Sequence, residues 1–124
     1  MLINLSLVMS VFNEEESIED FLIECDNLMK KNNLINLHEI IITNDGSSDN
    51  SLKILEALQE RINVLRIKSL KHNFGAGYAL NESIKLAKYD WTIILDSDGQ
   101  FPAENIEVMI KFLSENVNDK CVIG

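Results

Sequence analysis

The order of apolar and polar positions along the chain predicts alternating strands and helices. Five short apolar runs have the length and composition of strands: Ile3–Val11, His38–Thr43, Asn63–Lys68, Trp91–Leu95 and, most weakly, Lys120–Ile123. Between the first two runs, apolar side chains recur at the spacing of one helix face: Ile18, Phe21, Leu22, Cys25, Leu28 and Met29. Because this alternation is typical of strand, helix, strand units, we expect an α/β fold with a mostly parallel sheet and helices on both faces.

Three further helices are predicted from shorter apolar stripes. Their positions are Leu52, Leu55, Leu58 and Ile62 for the second helix, Leu80, Ile84 and Ala87 for the third, and Ile106, Met109, Ile110 and Leu113 for the fourth. Pro102 is the only proline, and it stands where the first turn of the fourth helix tolerates it. No linker, repeat or low-complexity segment divides the sequence, so we expect one domain spanning residues 1–124.

Composition and charge then narrow the class of protein. The 124 residues are 46% hydrophobic and 25% charged, as in a folded globular domain. The net charge of −9 opposes binding to the phosphate backbone of nucleic acids. Cys25 and Cys121 lack CxxC spacing and are interpreted as small buried hydrophobes in a reducing compartment. Since the sequence has neither a membrane-length apolar run nor a signal-peptide pattern, we expect a cytoplasmic chain without a transmembrane segment.

A polar or glycine-bearing loop follows each of the first four predicted strands. These loops are SVFNEEE (10–16), NDGSSDN (44–50), SLKHNFGAGYALNES (69–83) and DSDGQFP (96–102). Ligands of parallel sheets bind beyond the carboxyl ends of the strands, so the four loops together predict one binding site. Turn and helix-cap requirements explain such residues in any single loop, and that structural alternative stays open for each loop by itself.

Two aspartates one residue apart end the fourth predicted strand. Asp96 and Asp98 would repel each other and lose hydration at the end of a core strand, unless a positive group binds them. A divalent cation would meet this need, and the turn at Gly99 would let Gln100 supply another oxygen. Oxygen ligands of this kind favour Mg²⁺ or Mn²⁺, and such an ion keeps positions for phosphate oxygens. An acidic turn before a helix cap is the alternative.

Other motifs fit the loops less well. An EF-hand loop starting at Asp45 would have Asn50 in place of its required glycine. GAGYAL (75–80) begins like a dinucleotide-binding fingerprint, but Leu80 stands where the third glycine belongs. Neither a phosphate-binding glycine-lysine loop nor a GxSxG nucleophile motif occurs. His38 and His72 lack a metal-spaced partner and are interpreted as ordinary strand or loop residues.

Four stretches in the same order resemble a known family. VMSVFNEEESI (8–18), TNDGSSDNS (43–51), HNFGAGYALNESIKLA (72–87) and LDSDGQFPAENI (95–106) are similar to the Rossmann-like nucleotide-binding half of family 2 glycosyltransferases with the GT-A fold. The DxDxQ form followed by proline is most similar to polyprenol-phosphate sugar transferases of the dolichyl-phosphate mannose synthase type. The resemblance covers nearly the whole chain, and it implies that acceptor-binding residues and a catalytic base lie beyond Gly124.

The resemblance also assigns site residues. It implies nucleotide contacts from Ser10, Val11, Phe12, Glu14, Asp45, Asn73, Gly75 and Asp96, and a Mn²⁺ or Mg²⁺ ion on Asp96, Asp98 and Gln100. Four positions depart from the family pattern: Ser10 replaces a usual proline, Phe12 a common tyrosine, Asn44 a common aspartate and Ser83 a usual glycine. These departures leave the base preference open.

The implied activity is transfer of a sugar, with inversion, from a UDP- or GDP-linked donor to a polyprenyl phosphate, a glycan or another acceptor. We further expect the full-length enzyme at the membrane surface, and a homodimer. One alternative is a sugar-1-phosphate nucleotidyltransferase, although its basic glycine-rich loop would be needed where SVFNEEE stands. The others are a non-catalytic nucleotide-binding module and a phosphoacceptor domain of the response-regulator kind, which would need a lysine after a late strand.

Overall fold

The computed structural model of the chain describes residues 2–95, 102–115 and 121–123. Its elements, in chain order, are β1 (Ile3–Val11), α1 (Ile18–Lys31), β2 (Ile35–Asn44), α2 (Ser51–Leu58), β3 (Leu65–Ser69), α3 (Ala76–Leu86), β4 (Trp91–Ile94), α4 (Asn105–Glu115) and β5 (Cys121–Ile123). Strands and helices alternate along the whole described chain. The predicted α/β class, the five strands and the four helices are therefore confirmed.

The five strands form one sheet with the order β3-β2-β1-β4-β5, in which every neighbouring pair is parallel. The chain builds outward from β1 to β3 and then crosses to the other side of β1 to place β4. The direction of strand addition therefore reverses between β1 and β4. In sheets of this Rossmann-like type, the crevice at that reversal is where ligands bind.

One face of the sheet carries the hydrophobic core. Alternate β1 residues, from Leu5 to Val11, pack there against the apolar stripes of three helices, α1, α2 and α4. The stripes predicted for these helices are confirmed, because Ile18, Leu55 and Ile110 are among their fully buried positions. Burial of each large apolar side chain contributes roughly 1.5–3 kcal/mol, so this face supplies most of the drive to fold.

The opposite face of the sheet, which α3 covers, mixes buried aliphatic residues such as Val8 and Ile41 with buried polar ones. The stripe predicted for α3 is wrong: Ile84 is 39% exposed, while the buried side chains are Ala79, Glu82 and Ser83. The physical reason lies in the sheet, where Thr43 alternates with the core residue Ile42 and so points to the other face. The polar positions of this face pair with hydroxyl-bearing or charged helix residues, and hydrophobic periodicity cannot detect such contacts.

A buried carboxylate fastens the carboxyl end of α3 to the sheet. Glu39 of β2 is 2% exposed and accepts hydrogen bonds from Ser6 Oγ at 2.6 Å, the Lys88 N–H at 2.8 Å and the Arg66 guanidinium at 3.0 Å. The same Arg66 nitrogen donates to the carbonyl of Leu86, at the end of α3, at 3.1 Å. The buried charge is therefore paired and satisfied, as burial of a carboxylate requires.

The described residues include neither a reactive cysteine side chain nor a membrane-spanning helix. Cys25 lies in the core, where burial, with smaller contributions from Glu24 and Asp26, raises the pKa of its thiol to about 12. It is therefore the inert small hydrophobe that was predicted, whereas the Cys121 side chain lies outside the described part. Among the described residues, no helix has the length and hydropathy that a membrane crossing requires.

Candidate functional site

The loops after β1, β2 and β3 leave the sheet at the edge where β4 also ends, as predicted. Backbone hydrogen bonds extend the strand ladders to this edge: the Asp45 N–H donates to the Val11 carbonyl at 2.8 Å, and the Leu70 N–H donates to the Asn44 carbonyl at 2.9 Å. On the other side of β1, the Leu95 N–H donates to the Val8 carbonyl at 3.0 Å. The first two loops and the end of β4 therefore frame the strand-order reversal beside β1.

The β1 loop is bound to the loop that precedes α2 through Asn13. The Asn13 side-chain oxygen accepts hydrogen bonds from the Ser48 N–H at 2.8 Å and the Asp49 N–H at 3.3 Å. In return, the Asn13 N–H donates to Ser47 Oγ at 3.0 Å, and the Glu14 N–H donates to Ser51 Oγ at 2.9 Å. Two loops that are over thirty residues apart in sequence thus form one hydrogen-bonded unit.

Carboxylates complete this junction. Asp49 accepts from the Ser51 N–H at 2.9 Å and from the Glu15 N–H at 3.2 Å, and Glu15 accepts from the Asn50 N–H at 3.0 Å. Burial acts to raise the pKa of Asp49, but the hydrogen bonds from Ser51 and Glu15 outweigh it and hold this pKa below the ordinary value. Asp49 is thus ionised at neutral pH, and its carboxylate accepts hydrogen bonds from backbone N–H groups.

The β2 and β3 loops are joined by Asp45 and Gly46. The buried Asp45 carboxylate accepts from the Phe74 N–H at 2.8 Å with one oxygen and from the Gly75 N–H at 3.1 Å with the other. Gly46 has φ +69°, and a Cβ there would lie 2.5 Å from the His72 carbonyl carbon. Only glycine allows this close backbone approach. Each Asp45 oxygen keeps a second lone pair, so the carboxylate can still accept a hydrogen bond from a ligand.

The β3 loop ends in a backbone conformation that only glycine adopts readily. Gly75 has φ +99° and ψ 151° and immediately precedes α3. The exposed Asn73 side chain accepts from the Gly75 N–H at 3.1 Å. Because residues 70–75 separate β3 from α3, GAGYAL does not follow the tight strand-to-helix turn that a dinucleotide fingerprint requires.

Exposed aromatic rings are a feature of this edge that sequence reasoning missed in part. Phe12 was predicted as a site residue and is 44% exposed, whereas Phe74 (55%) and Tyr78 (50%) were not singled out. The rings of Phe74 and Tyr78 are tilted against each other with centroids 5.0 Å apart. Exposed rings beside a glycine-rich loop could have suggested stacking surfaces, since aromatic faces favour contact with other planar rings.

Acidic side chains surround the open space beside the β1 loop. A cavity of about 430 Å³ is lined by Asn13, Glu14, Glu15, Glu16, Ser17 and Asp49. Ser17 Oγ donates to the Glu14 carboxylate at 3.4 Å. Four carboxylates around one cavity oppose the approach of phosphate oxygens. They also disfavour a nucleotidyltransferase, whose loop here would be basic.

The remaining predicted positions divide between described and undescribed parts of the chain. Ser10 and Val11 end β1; Ser10 is half-buried, while the Val11 side chain lies in the core and leaves only its backbone for a ligand. Asp96, Asp98 and Gln100 lie outside the described residues. Within the described part, no group of three or more His, Cys, Asp or Glu side chains could hold a metal ion. His38 instead pairs with Asp26 at 3.0 Å.

Comparison with known sequences identifies relatives over nearly the whole chain. A family model described as "Glycosyl transferase family 2" matches residues 6–123. A poly-beta-1,6-N-acetyl-D-glucosamine synthase of Staphylococcus aureus is 36% identical over 94 residues, covering 76% of this chain and 21% of that protein. A poly(ribitol-phosphate) beta-glucosyltransferase of Bacillus spizizenii is 32% identical over 116 residues, 93% of this chain and 18% of its own length. The chain thus spans about a fifth of these curated relatives.

Solved structures share the fold. The S. aureus protein TarS in complex with UDP matches with a TM-score of 0.73 at 21% identity, covering 93% of this chain and 33% of that one. A mannosyltransferase from Pyrobaculum calidifontis, in complex with GDP-Man and Mn²⁺, matches with a TM-score of 0.73 at 20% identity, covering 91% and 33%. These matches show that the described sheet and helices share the fold of these two proteins.

Proposed function

The chain belongs to glycosyl transferase family 2, and from that premise we propose that the edge of the sheet at the carboxyl ends of its strands binds a nucleoside-diphospho-sugar, held through a divalent cation, for sugar transfer. The observation that carries the proposal is the junction of three loops beside β1. Asn13 and Asp45 hold these loops together with hydrogen bonds at 2.8 Å, next to the point where Leu95 leads into Asp96.

The nucleoside part of the donor would lie against the β1 and β2 loops. Phe12 offers an exposed ring for stacking, and Asp45 offers carboxylate lone pairs for an N–H group of the base. Glu14 would accept from the ribose hydroxyls. The complexes of the two structural neighbours with UDP and with GDP-Man support a UDP- or GDP-linked donor.

Asp96, Asp98 and Gln100 would hold the cation. Two carboxylates and an amide oxygen are the donor set that Mg²⁺ and Mn²⁺ prefer, and the neighbour complexed with Mn²⁺ supports this choice. When bound, such an ion offsets the charge of the diphosphate leaving group as a Lewis acid. The protein's own residues bind and orient the donor. The carboxylates around the cavity beside the β1 loop, together with the net charge of −9, oppose binding of a diphosphate without the cation.

The acceptor and stereochemistry belong to the same proposal. The names of the two curated relatives support a polymeric acceptor, a glycan or a polyol phosphate. The DxDxQ form followed by Pro102 supports a polyprenyl phosphate, the acceptor of the enzymes it resembles. We propose transfer with inversion, as the family resemblance implies. Product analysis by NMR with each acceptor class would decide between them.

Calorimetric titration of UDP and GDP tests the proposal. We expect one of them to bind in the presence of Mn²⁺, and to lose its binding in EDTA or in Asp98→Ala. The matched control is Asp90→Ala, which removes an exposed acid just before β4, at the opposite end of that strand, and should leave binding unchanged. Binding that is equally strong without a metal ion, or that Asp90→Ala weakens as much as Asp98→Ala, would contradict the proposal.

A further inference from the structure

Asn13 combines a strained backbone with an unusually engaged side chain. Its φ of +52° is the only positive φ among the described non-glycine residues. The left-handed region is rare for residues with a side chain, although asparagine enters it more readily than most. Strain of this kind persists where surrounding contacts over-determine it, and it concentrates at functional sites. The strained residue lies between Phe12 and Glu14, two predicted nucleotide contacts.

The contacts that hold Asn13 reach the loop that leads into α2. The residue before α2, Asn50, makes no capping hydrogen bond with its own side chain. The first N–H of α2, that of Ser51, donates to the Asp49 side chain at 2.9 Å. The side-chain oxygen of Asn13 accepts the Ser48 N–H at 2.8 Å and the Asp49 N–H at 3.3 Å, in the loop just before α2. Ser47 Oγ accepts the Asn13 N–H in return. We call this set of three hydrogen bonds the Asn13 latch.

The latch lies in water, which limits what it contributes to global stability. Asn13 and Ser48 are both exposed, and hydrogen bonds between exposed groups exchange readily with solvent. The latch nevertheless fixes the backbone on both sides of Asn13, including the Glu14 N–H that donates to Ser51 Oγ at 2.9 Å. Such a contact adds little to the free energy of unfolding. Its main effect is on ligand binding, because a loop that is already ordered does not have to lose conformational entropy when the ligand binds.

We propose that Asn13 is a positioning residue for the nucleotide: its latch to the loop before α2 holds Phe12 and Glu14 in the conformation that receives the nucleoside. The inference rests on the proposed function and deepens it. The essential group is the side-chain oxygen, because it accepts both backbone N–H groups. The amide nitrogen is dispensable.

Three substitutions separate the oxygen from the backbone strain. Asn13→Asp keeps an oxygen acceptor and tolerates the left-handed region, so the UDP or GDP dissociation constant with Mn²⁺ should stay within about threefold of that of the unmodified chain. Asn13→Gly removes the oxygen and the strain together, and Asn13→Ala removes the oxygen alone. Both should weaken binding by about tenfold or more, because the loop must then be ordered on binding.

Two further measurements keep the outcome decisive. The rate of amide hydrogen exchange at Ser48 and Asp49 in the free protein should rise in Asn13→Gly and Asn13→Ala and stay low in Asn13→Asp. The melting temperatures of the three variants should change little. The control Asn36→Ala removes an exposed asparagine whose amide donates to Asn4 at 3.1 Å, at the amino end of the sheet, and should affect neither binding nor this exchange.

The outcomes distinguish the inference from its premise. If the unmodified chain binds nucleotide and the Gly and Ala variants bind equally well, the positioning role is wrong while the proposed function stands. If the Asp variant fails to rescue binding that Ala has lost, the oxygen is not the essential group, and the inference is again wrong. If the unmodified chain binds no nucleotide with Mn²⁺, the proposed function fails, and with it the role assigned to Asn13.

Discussion

Ser83 and Thr43 make a buried hydroxyl contact between α3 and the sheet. The two oxygens lie 2.7 Å apart, and Ser83 Oγ also donates to the Met9 carbonyl at 3.0 Å. Ser83 stands where the family resemblance predicts glycine, so the serine adds a side chain at a close helix-to-sheet contact together with a partner for it. Both side chains are fully buried, which makes the pair costly to break from one side.

Replacing both hydroxyls should destabilise the fold by less than the sum of the two single replacements. Ser83→Ala or Thr43→Val should each lower the free energy of unfolding by about 1–3 kcal/mol, because a buried polar group loses a hydrogen bond. The double variant should be less destabilised than the sum, since an apolar pair leaves fewer orphaned groups. Urea denaturation of the four proteins measures the coupling. Strict additivity would mean that the two hydroxyls do not depend on each other.

Single residues also show where sequence reasoning stops. Asp45 and Gly75 could be selected from the sequence, because carboxylates and glycines after predicted strands are typical of ligand-binding loops. Asn13 could not be assigned its role, because its partners lie 34 to 36 residues away and follow a different strand. The spacing within one loop carries no information about which other loop it meets. Only the strand order brings the two loops together.

At the scale of elements, the close passage of the β2 and β3 loops depends on Gly46. Its φ of +69° and a Cβ position 2.6 Å from the Asn73 nitrogen leave no room for a side chain. Gly77 in α3 differs in both respects, since a Cβ there would meet nothing within 4 Å. The two glycines therefore form a matched pair, one required by the loop contact and one not.

The pair gives opposite expectations for alanine. Gly46→Ala should lower the free energy of unfolding by about 1–3 kcal/mol or more, because the loop contact must open and the backbone is strained. Gly77→Ala should raise it by about 0.5–1 kcal/mol, because alanine is the better helix former. Thermal and urea denaturation measure both effects. A Gly46→Ala variant as stable as the unmodified chain would show that the two loops do not pass as closely as described.

Helix α3 is held to β3 by an ion pair. Lys68 Nζ donates to the Glu82 carboxylate at 2.7 Å, and Lys85 donates to its other oxygen at 3.0 Å. These hydrogen bonds, first from Lys68 and then from Lys85, hold the pKa of Glu82 below its ordinary value of 4.5. The same pair raises the pKa of Lys68 above 10.5. The pair should therefore stabilise the folded state fully between these two pH values.

Glu82→Gln tests this pH dependence. The variant should be less stable than the unmodified chain at pH 7. The difference should shrink as the pH falls below 4.5, because the depressed pKa means that the stabilisation is lost as Glu82 becomes protonated. Urea denaturation from pH 7 to pH 3 measures the difference, with the exposed Glu56→Gln as control. A difference that is constant across this range would exclude an ionised Glu82 as its cause.

The elements themselves were predictable to different degrees. The stripes of α1 and α4 lie against an aliphatic sheet face, so hydrophobic periodicity gave the correct buried side. The α3 stripe was wrong because the sheet beneath it carries Ser6, Glu39 and Thr43, and polar contacts leave no apolar period. These polar residues are buried because side chains and backbone groups of other elements bind them. The sequence of one strand does not reveal those partners.

At the scale of the whole molecule, topology and charge together define the candidate site. The strand order 3-2-1-4-5 places the end of β1 beside the end of β4, and the loops joined by Asn13 and Asp45 border that point. The solved structures that match the chain share the fold class that the strand and helix alternation predicted. The metal ligands assigned to Asp96, Asp98 and Gln100 remain a prediction, since they lie outside the described residues.

Paramagnetic broadening by Mn²⁺ tests the central claim most directly, namely that this edge binds a cation and a nucleoside diphosphate together. In ¹H–¹⁵N spectra of the chain with UDP or GDP, replacing Mg²⁺ by Mn²⁺ should broaden the amide signals of Asn13, Asp45 and Leu95 strongly. Those of Leu37 and Asn63, toward the amino ends of β2 and β3, should be affected least. Strongest broadening at Leu37 and Asn63, or no difference between the two metal ions, would contradict the account.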